Sequence, residues 1–155
     1  MDLQTYLDNY AKAERQKRLN KSDQLTLGQL IAKLEPIVAR QPEIIEKYSQ
    51  EAEVVFDFEY LFPTRFASWR GSYDELALNF SSREAGKKPL GVSEFLKMCK
   101  GTIGQTFWGY KGGDFMMGKA TPIWIANYGN SGNTALIEVV DNEYQVILMT
   151  GWREY

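Results

Sequence analysis

The chain has 155 residues, of which 44% are hydrophobic and 25% are charged, and its formal net charge is −2. This composition excludes a disordered chain and a fibrous repeat, and the length predicts one domain over residues 1–155 that buries a core. The small net charge also excludes a molecule-wide field that would draw the protein onto nucleic acid or an anionic membrane.

Histidine is absent from the sequence, and cysteine occurs once, as Cys99. The lack of histidine excludes Ser-His and Cys-His nucleophilic pairs, histidine acid-base catalysis and the common zinc sites. A single cysteine excludes an intrachain disulfide, so we expect Cys99 to be a reduced core thiol. The apolar runs are too short to span a bilayer, and the first residues, Met1–Gln4, are acidic and polar, unlike a signal peptide. We therefore expect a cytoplasmic protein without a membrane partner.

Helical patterns fill the first third of the chain, residues 1–50. An apolar stripe from Leu3 to Tyr10 predicts a short helix, and the basic residues after it are interpreted as a solvated helix end, with phosphate binding as the alternative. Thr26-x-x-Gln29 has the form of a capping box and predicts the start of a second helix. Pro36 should end or kink that helix, and Pro42 suits the first turn of a third.

From Val54 the pattern changes to that of a sheet. Branched and aromatic residues alternate from Val54 to Tyr60, which predicts a strand, and a short strand is expected from Glu75 to Phe80. Residues 63–71 are interpreted as irregular and residues 81–89 as a loop. An apolar face from Val92 to Phe107 predicts a helix that is broken near its glycines.

The last third of the chain predicts a meander. Residues 109–118 hold several glycines and are interpreted as an ordered but irregular loop. Three strands follow, Thr121 to Tyr128, Thr134 to Val140 and Tyr144 to Thr150, joined by hairpin turns, so they should be antiparallel neighbours. The expected fold class is α+β: N-terminal helices, then a mostly antiparallel sheet with one central helix and a C-terminal three-stranded meander.

Two carboxylates of the first predicted strand suggest one catalytic hypothesis. Asp57 and Glu59 lie two residues apart, so both should emerge on one face of the strand, opposite its aromatic residues. With Asp74 or Glu75 they could hold Mg²⁺, which would suit a metal-dependent hydrolase or transferase. The alternative is a solvent-facing strand whose aromatic residues pack inward.

The strongest candidate for a binding surface is the segment from Arg65 to Asp74, which combines arginines with aromatic rings. Arginine binds phosphate or carboxylate through two hydrogen bonds, and an aromatic ring stacks on a base or a guanidinium group. The loop 109–114 lacks the Walker arrangement and is either a turn that needs glycine or a backbone approach to a ligand. In the alternative interpretation of the first segment, Trp69 and Tyr73 belong to the core and Arg70 pairs with an acid. The predicted ligand-binding residues are Arg65, Trp69, Arg70, Tyr73, Asp74, Tyr110, Lys111, Asp114 and Trp124.

Three stretches carry a resemblance to a known group of proteins: Trp69–Ala77, Gly109–Phe115 and Thr121–Gly129. In these stretches, and more loosely over residues 54–150, the chain resembles small proteins of tailed bacteriophages and prophages. The resemblance implies an accessory protein that acts in the cytoplasm of an infected bacterium, where such proteins often block a host component or sequester a small signal.

The first hypothesis is therefore a non-enzymatic binding protein that sequesters a small anionic or nucleotide-type ligand or blocks a host defence protein. No catalytic residue, metal ligand or cofactor is assigned. The metal-dependent hydrolase is the second hypothesis, and a single-stranded nucleic-acid binder that stacks bases beside the basic helix end is the third. Exposed apolar positions could also form an oligomer interface, which the pattern does not separate from the core.

Overall fold

The computed structural model describes residues 3–5, 24–58, 61–70, 73–108, 114–126 and 134–152. Within these ranges the protein combines helices with a six-stranded mixed sheet, which confirms the α+β class. The described helices are α1 (Leu27–Ala39), α2 (Gln41–Tyr48) and α3 (Val92–Thr102). The strands are β1 (Glu53–Phe56), β2 (Phe62–Arg70), β3 (Tyr73–Ser81), β4 (Thr106–Trp108), β5 (Asp114–Met116), β6 (Trp124–Ile125), β7 (Thr134–Asp141) and β8 (Gln145–Trp152).

The main sheet has the strand order β1-β8-β7-β6-β3-β2, and β4 pairs with β5 in a separate hairpin. The pairs β6–β7 and β7–β8 are antiparallel, so the predicted meander is confirmed. The pair β2–β3 is antiparallel as well, whereas β1 runs parallel to β8 and β3 runs parallel to β6. The sheet is therefore less uniformly antiparallel than the sequence predicts, because its two ends are joined to the meander by parallel pairs.

The start of α1 follows the prediction, but its end does not. The Gln29 N–H donates to Thr26 Oγ1 at 3.2 Å and the Thr26 N–H donates to Gln29 Oε1 at 2.9 Å, which confirms the capping box. The helix then continues past Pro36 to Ala39. Leu34 and Ile37, before and after the proline, are both buried, so packing against the core offsets the hydrogen bond that Pro36 cannot make.

Three sheet predictions need correction. The segment 63–71 was expected to be irregular, yet residues 62–70 form β2; register shifts between Pro63 and Arg65 and between Ala67 and Trp69 break the alternation that would have indicated a strand. The strand predicted from Val54 to Tyr60 ends at Phe56. The strand predicted from residue 121 is only two residues long within the described part, Trp124–Ile125.

The region after α3 also differs from the prediction. The helix ends at Thr102, and Gly104 takes a φ of +79°, a left-handed conformation that suits glycine and turns the chain away from the helix axis. Phe107 therefore lies in β4, not on the helix. The predicted loop 109–118 contains β5, while residues 109–113 lie outside the described part of the chain.

Helices α1 and α3 cover one face of the sheet and form the main core with it. Val54, Leu78, Leu136 and Leu148 belong to this core, together with the buried faces of both helices. Cys99 is also buried there, and burial raises the pKa of its thiol well above the ordinary value, which fits an unreactive core residue. Within the described ranges, no helix combines the length and the apolar character that crossing a bilayer requires.

A polar cluster fastens α2 to the turn between β7 and β8. The Tyr48 hydroxyl and the Lys47 ammonium both donate to Glu143 Oε2, at 2.7 and 2.9 Å. The Tyr48 hydroxyl and then Lys47 hold the pKa of Glu143 below its ordinary value of 4.5. The same carboxylate raises the pKa of Lys47 above 10.5. This cluster therefore stabilises the fold only while Glu143 is ionised and Lys47 is protonated.

We predict that Glu143→Gln destabilises the fold at neutral pH and that this loss of stability shrinks as the pH falls. Because the folded pKa of Glu143 is depressed, its contribution is present above pH 4.5 and is lost as the pH falls through the lowered pKa. The difference between the urea midpoints of the wild type and Glu143→Gln should therefore be positive at about pH 7 and shrink towards about pH 2. Glu46→Gln, at an exposed acid of α2, is the control. An undiminished difference at low pH, or no difference at pH 7, would contradict this prediction.

Candidate functional site

The predicted binding segment forms one hairpin. Arg65, Trp69 and Arg70 lie on β2, and Tyr73 and Asp74 lie on β3. Trp69 is the register partner of Asp74, and Arg70 is the register partner of Tyr73, so the backbone brings these four residues to one end of the β2–β3 pair. The side chains of these four residues lie outside the described part of the structure.

Arg65 is the member of this segment whose side-chain surroundings are described. It is exposed and lines a depression of about 310 Å³ between β2 and the C-terminal end of α3. Within the described ranges the structure shows no hydrogen bond or ion pair to its guanidinium group. The other lining residues are Phe66, Met98, Gly101, Thr102 and Gln105. We call this the Arg65 depression. A guanidinium group carries five N–H donors, so Arg65 can offer two parallel hydrogen bonds to an anion there.

The remaining predicted residues fall into two groups. Tyr110 and Lys111 lie outside the described residues, as does the side chain of Asp114, whose backbone belongs to β5. Strand β4, which leads into the glycine-containing loop, contacts β2, so the two predicted segments begin as neighbours. Trp124 is only 7% exposed and packs with Ala135 and Ile137, which leaves little of its surface for a ligand.

A larger groove, which the sequence does not predict, lies along β1 and β8. Its volume is about 740 Å³, within the range of roughly 300 to 1,000 Å³ that is typical of small-molecule sites. We call it the β1 groove. Its described lining residues are Gln4, Val55, Phe56, Asp57, Phe58, Phe62, Arg83, Pro89, Gln145, Ile147 and Met149.

The walls of the β1 groove are mainly apolar. The rings of Phe56 and Phe58 stack with their centroids 5.2 Å apart, and Phe58 meets Phe80 edge to face at 6.4 Å. Ile147 and Met149 come from β8 and alternate with the buried residues of that strand, so they lie on the sheet face away from α1 and α3. Part of the apolar surface that α1 and α3 leave uncovered therefore lines this groove.

Two charged side chains line the β1 groove among the described residues. Arg83 Nη2 contacts Glu53 Oε2 at 2.6 Å, and the Arg83 side chain is 62% exposed. Asp57 is directed at β8: its Oδ2 accepts from the Thr150 N–H at 3.0 Å and its Oδ1 accepts from the Thr150 hydroxyl at 2.7 Å. The Arg83 guanidinium therefore keeps further donors, whereas both oxygens of Asp57 are already engaged.

The contacts of Asp57 explain why β1 is short. β8 continues to Trp152, but beyond Phe56 it is the side chain of Asp57, not a strand carbonyl, that accepts from the Thr150 N–H. Within the described ranges, no three carboxylate or thiol groups converge to hold a metal ion. Glu59 and the side chain of Asp74, which the metal hypothesis also needs, lie outside those ranges.

Two facts explain why the sequence does not predict the β1 groove. Its walls come from strands that lie far apart in the chain and pair in parallel, and Arg83 lies in a segment predicted only as a loop. Comparison of the chain with protein-family models, with curated proteins and with solved structures found no match. What the protein binds is therefore inferred from its own side chains.

Proposed function

We propose that the protein is a non-enzymatic accessory protein of phage type, which sequesters a small anionic or nucleotide-type ligand at the Arg65 depression. The supporting observation is an exposed arginine that lines a depression and has no described partner. An unpaired guanidinium group at the surface is free to bind an anion without first giving up an ion pair.

The hairpin extends the site beyond Arg65. Its far end holds Trp69, Arg70, Tyr73 and Asp74 close together along the backbone, and β4 leads from the depression towards residues 109–113. A base stacked on an aromatic ring and a phosphate on an arginine would use both parts of this segment. The contribution of these residues remains a prediction, as does that of Tyr110, Lys111 and Asp114.

A contact with a host protein is the second candidate function. Met116 of β5 is 67% exposed, and β5 belongs to the small hairpin whose other strand contacts β2. Exposed methionine suits adaptable protein contacts, because its side chain is flexible and polarisable.

The catalytic alternative receives less support. A hydrolase that uses Asp57 would need this carboxylate at a metal ion or a substrate, but both oxygens already accept hydrogen bonds from Thr150. The nucleic-acid alternative depends on the basic residues after Tyr10, which lie outside the described part of the chain. We therefore favour sequestration over turnover.

The test is a binding screen with cyclic mononucleotides and cyclic dinucleotides on the wild type, Arg65→Gln and Arg83→Gln. We expect at least one probe to bind the wild type and Arg65→Gln to weaken it about fivefold, because a charge-assisted hydrogen bond is lost. Arg83→Gln is the matched control and should bind as the wild type does. Isothermal titration calorimetry gives the affinities, and the ¹³C-labelled methyl group of Met98, which lines the depression, should shift on binding.

Two results would overturn the assignment. One is binding that Arg65→Gln leaves unchanged while the Met98 methyl signal stays in place. The other is the absence of binding by every nucleotide probe together with capture of a host protein that Arg65→Gln does not weaken but a polar substitution of Met116 does. The second result would favour the protein contact instead.

A further inference from the structure

We propose that the β1 groove is a second ligand site, separate from the Arg65 depression, and that it takes an apolar monocarboxylate. The apolar body of the ligand would lie against the phenyl and aliphatic walls, and its carboxylate would accept hydrogen bonds from Arg83. The groove and the Arg65 depression have no described lining residue in common.

The walls select an apolar body. Phe56, Phe58 and Phe62 line the groove together with Val55 and Ile147, which lie on the sheet face away from α1 and α3. Val55 and Ile147 are only partly buried, so apolar surface remains exposed to water there. Covering this surface contributes roughly 25 cal/mol per Å² of apolar area removed from water. A ligand that is mostly hydrocarbon gains most from this site.

The charged side chains at the groove select the charge of the ligand's head group. Arg83 is the cationic side chain among the described lining residues, and its contact with Glu53 involves Nη2. Its other N–H donors remain for a second carboxylate, which can accept from them in the planar geometry that a guanidinium group offers. Because Glu53 already offsets the charge of Arg83, a phosphate monoester with two negative charges would meet more repulsion there than a carboxylate with one.

The carboxylate of Asp57 is already held by β8. Both of its oxygens accept from Thr150, a residue that is almost fully buried. Gln145 adds a further polar side chain to the lining, and its amide can donate a hydrogen bond to a ligand. The lining thus combines apolar walls with a few polar groups, as an amphipathic ligand requires.

The test uses three probes of equal chain length: decanoate, decylamine and decanol. We expect decanoate to bind most tightly and Arg83→Gln to weaken decanoate at least fivefold while leaving decanol unchanged. Arg65→Gln is the matched control and should leave all three affinities unchanged. The methyl group of Met149, which lines the β1 groove, should shift with decanoate, whereas that of Met98 should not.

The methyl signals of Met149 and Met98 distinguish this proposal from the nucleotide site, because the experiment can contradict either site while the other stands. Val55→Phe fills the groove and should abolish decanoate binding while the Met98 signal keeps its native position. Decylamine or decanol binding as tightly as decanoate would overturn the monocarboxylate assignment. An unshifted Met149 signal, or equal decanoate affinity in Arg83→Gln, would overturn the site itself.

Discussion

Replacing Asp57 with alanine is expected to lower the free energy of unfolding by about 2 to 3 kcal/mol, because a buried donor left without an acceptor costs about 1 to 3 kcal/mol. The change removes the acceptor of both the Thr150 N–H and the Thr150 hydroxyl. Thr150 is 1% exposed, so water cannot readily take the place of the carboxylate. Urea unfolding followed by circular dichroism should show a lower midpoint with an unchanged slope.

Three controls make this result specific. Asp57→Asn keeps one acceptor oxygen and should cost less than Asp57→Ala. Thr150→Val removes the hydroxyl partner, and in that background Asp57→Ala should cost less than in the wild type, because the two residues are coupled. Magnesium should leave the wild-type midpoint unchanged. A midpoint that rises with magnesium in the wild type but not in Asp57→Ala would favour the metal hypothesis.

Gly91→Ala is expected to lower the free energy of unfolding in the wild type and to raise it when Glu51 is also replaced. Gly91 precedes α3, and its backbone has φ −68° and ψ 154°, which alanine adopts without strain. A Cβ at this position would overlap Glu51 Oε1 and lie 2.8 Å from Glu51 Cδ. That carboxylate accepts from the Ser93 N–H at 2.8 Å and so caps the helix from outside it. Displacing it should cost about 1 to 2 kcal/mol.

The reversal follows from removing the cap first. In Glu51→Ala the contact and the cap are both absent, and Gly91→Ala should then stabilise the fold by about 0.4 to 1 kcal/mol, because alanine restricts the unfolded chain. Thermal unfolding of the four proteins in this cycle measures the coupling. Glu84→Ala, at an exposed acid in the neighbouring 3₁₀ helix, is the control and should change little. Equal destabilisation by Gly91→Ala in both backgrounds would contradict the role of Glu51.

Local patterns predicted the parts of the fold that depend on near neighbours. The pair of Thr26 and Gln29 predicted the start of α1, and Pro42 lies in the first turn of α2 as expected. The turn around Asp141 and Asn142 joins β7 to β8, also as expected. In each case the residues that decide the conformation lie within a few positions of one another. Their chemistry is therefore visible in the sequence.

The failures have a common physical cause, which is that partners distant in sequence decided the outcome. The register shifts within β2 break the alternation of its residues, so the sequence pattern predicted an irregular segment where a nine-residue strand lies. The end of β1 is set by the hydrogen bonds of Asp57 to Thr150, a residue 93 positions away. Leu34 and Ile37 keep α1 intact at Pro36 only because the sheet lies beneath them.

The two candidate sites differ in the same respect: local residue types indicate one of them, and the other depends on partners that are distant in the sequence. The combination of arginine and aromatic residues predicts a binding site on the hairpin that carries Arg65, because these residue types suit recognition, and that site stays a prediction. The β1 groove was not predicted, because its walls meet only when β1 lies beside β8. Arg83 gave no signal by itself, since its partner Glu53 lies 30 residues earlier in the chain.

The parallel pairing of β1 with β8 also sets an order of events during synthesis. β1 leaves the ribosome long before β8, its partner strand. The apolar residues of β1 therefore lack this partner while most of the chain is translated. Pairings of such long sequence separation slow folding and expose nascent chains to aggregation. The β1 groove can take shape only after β8 has been synthesised, because β8 supplies part of its lining.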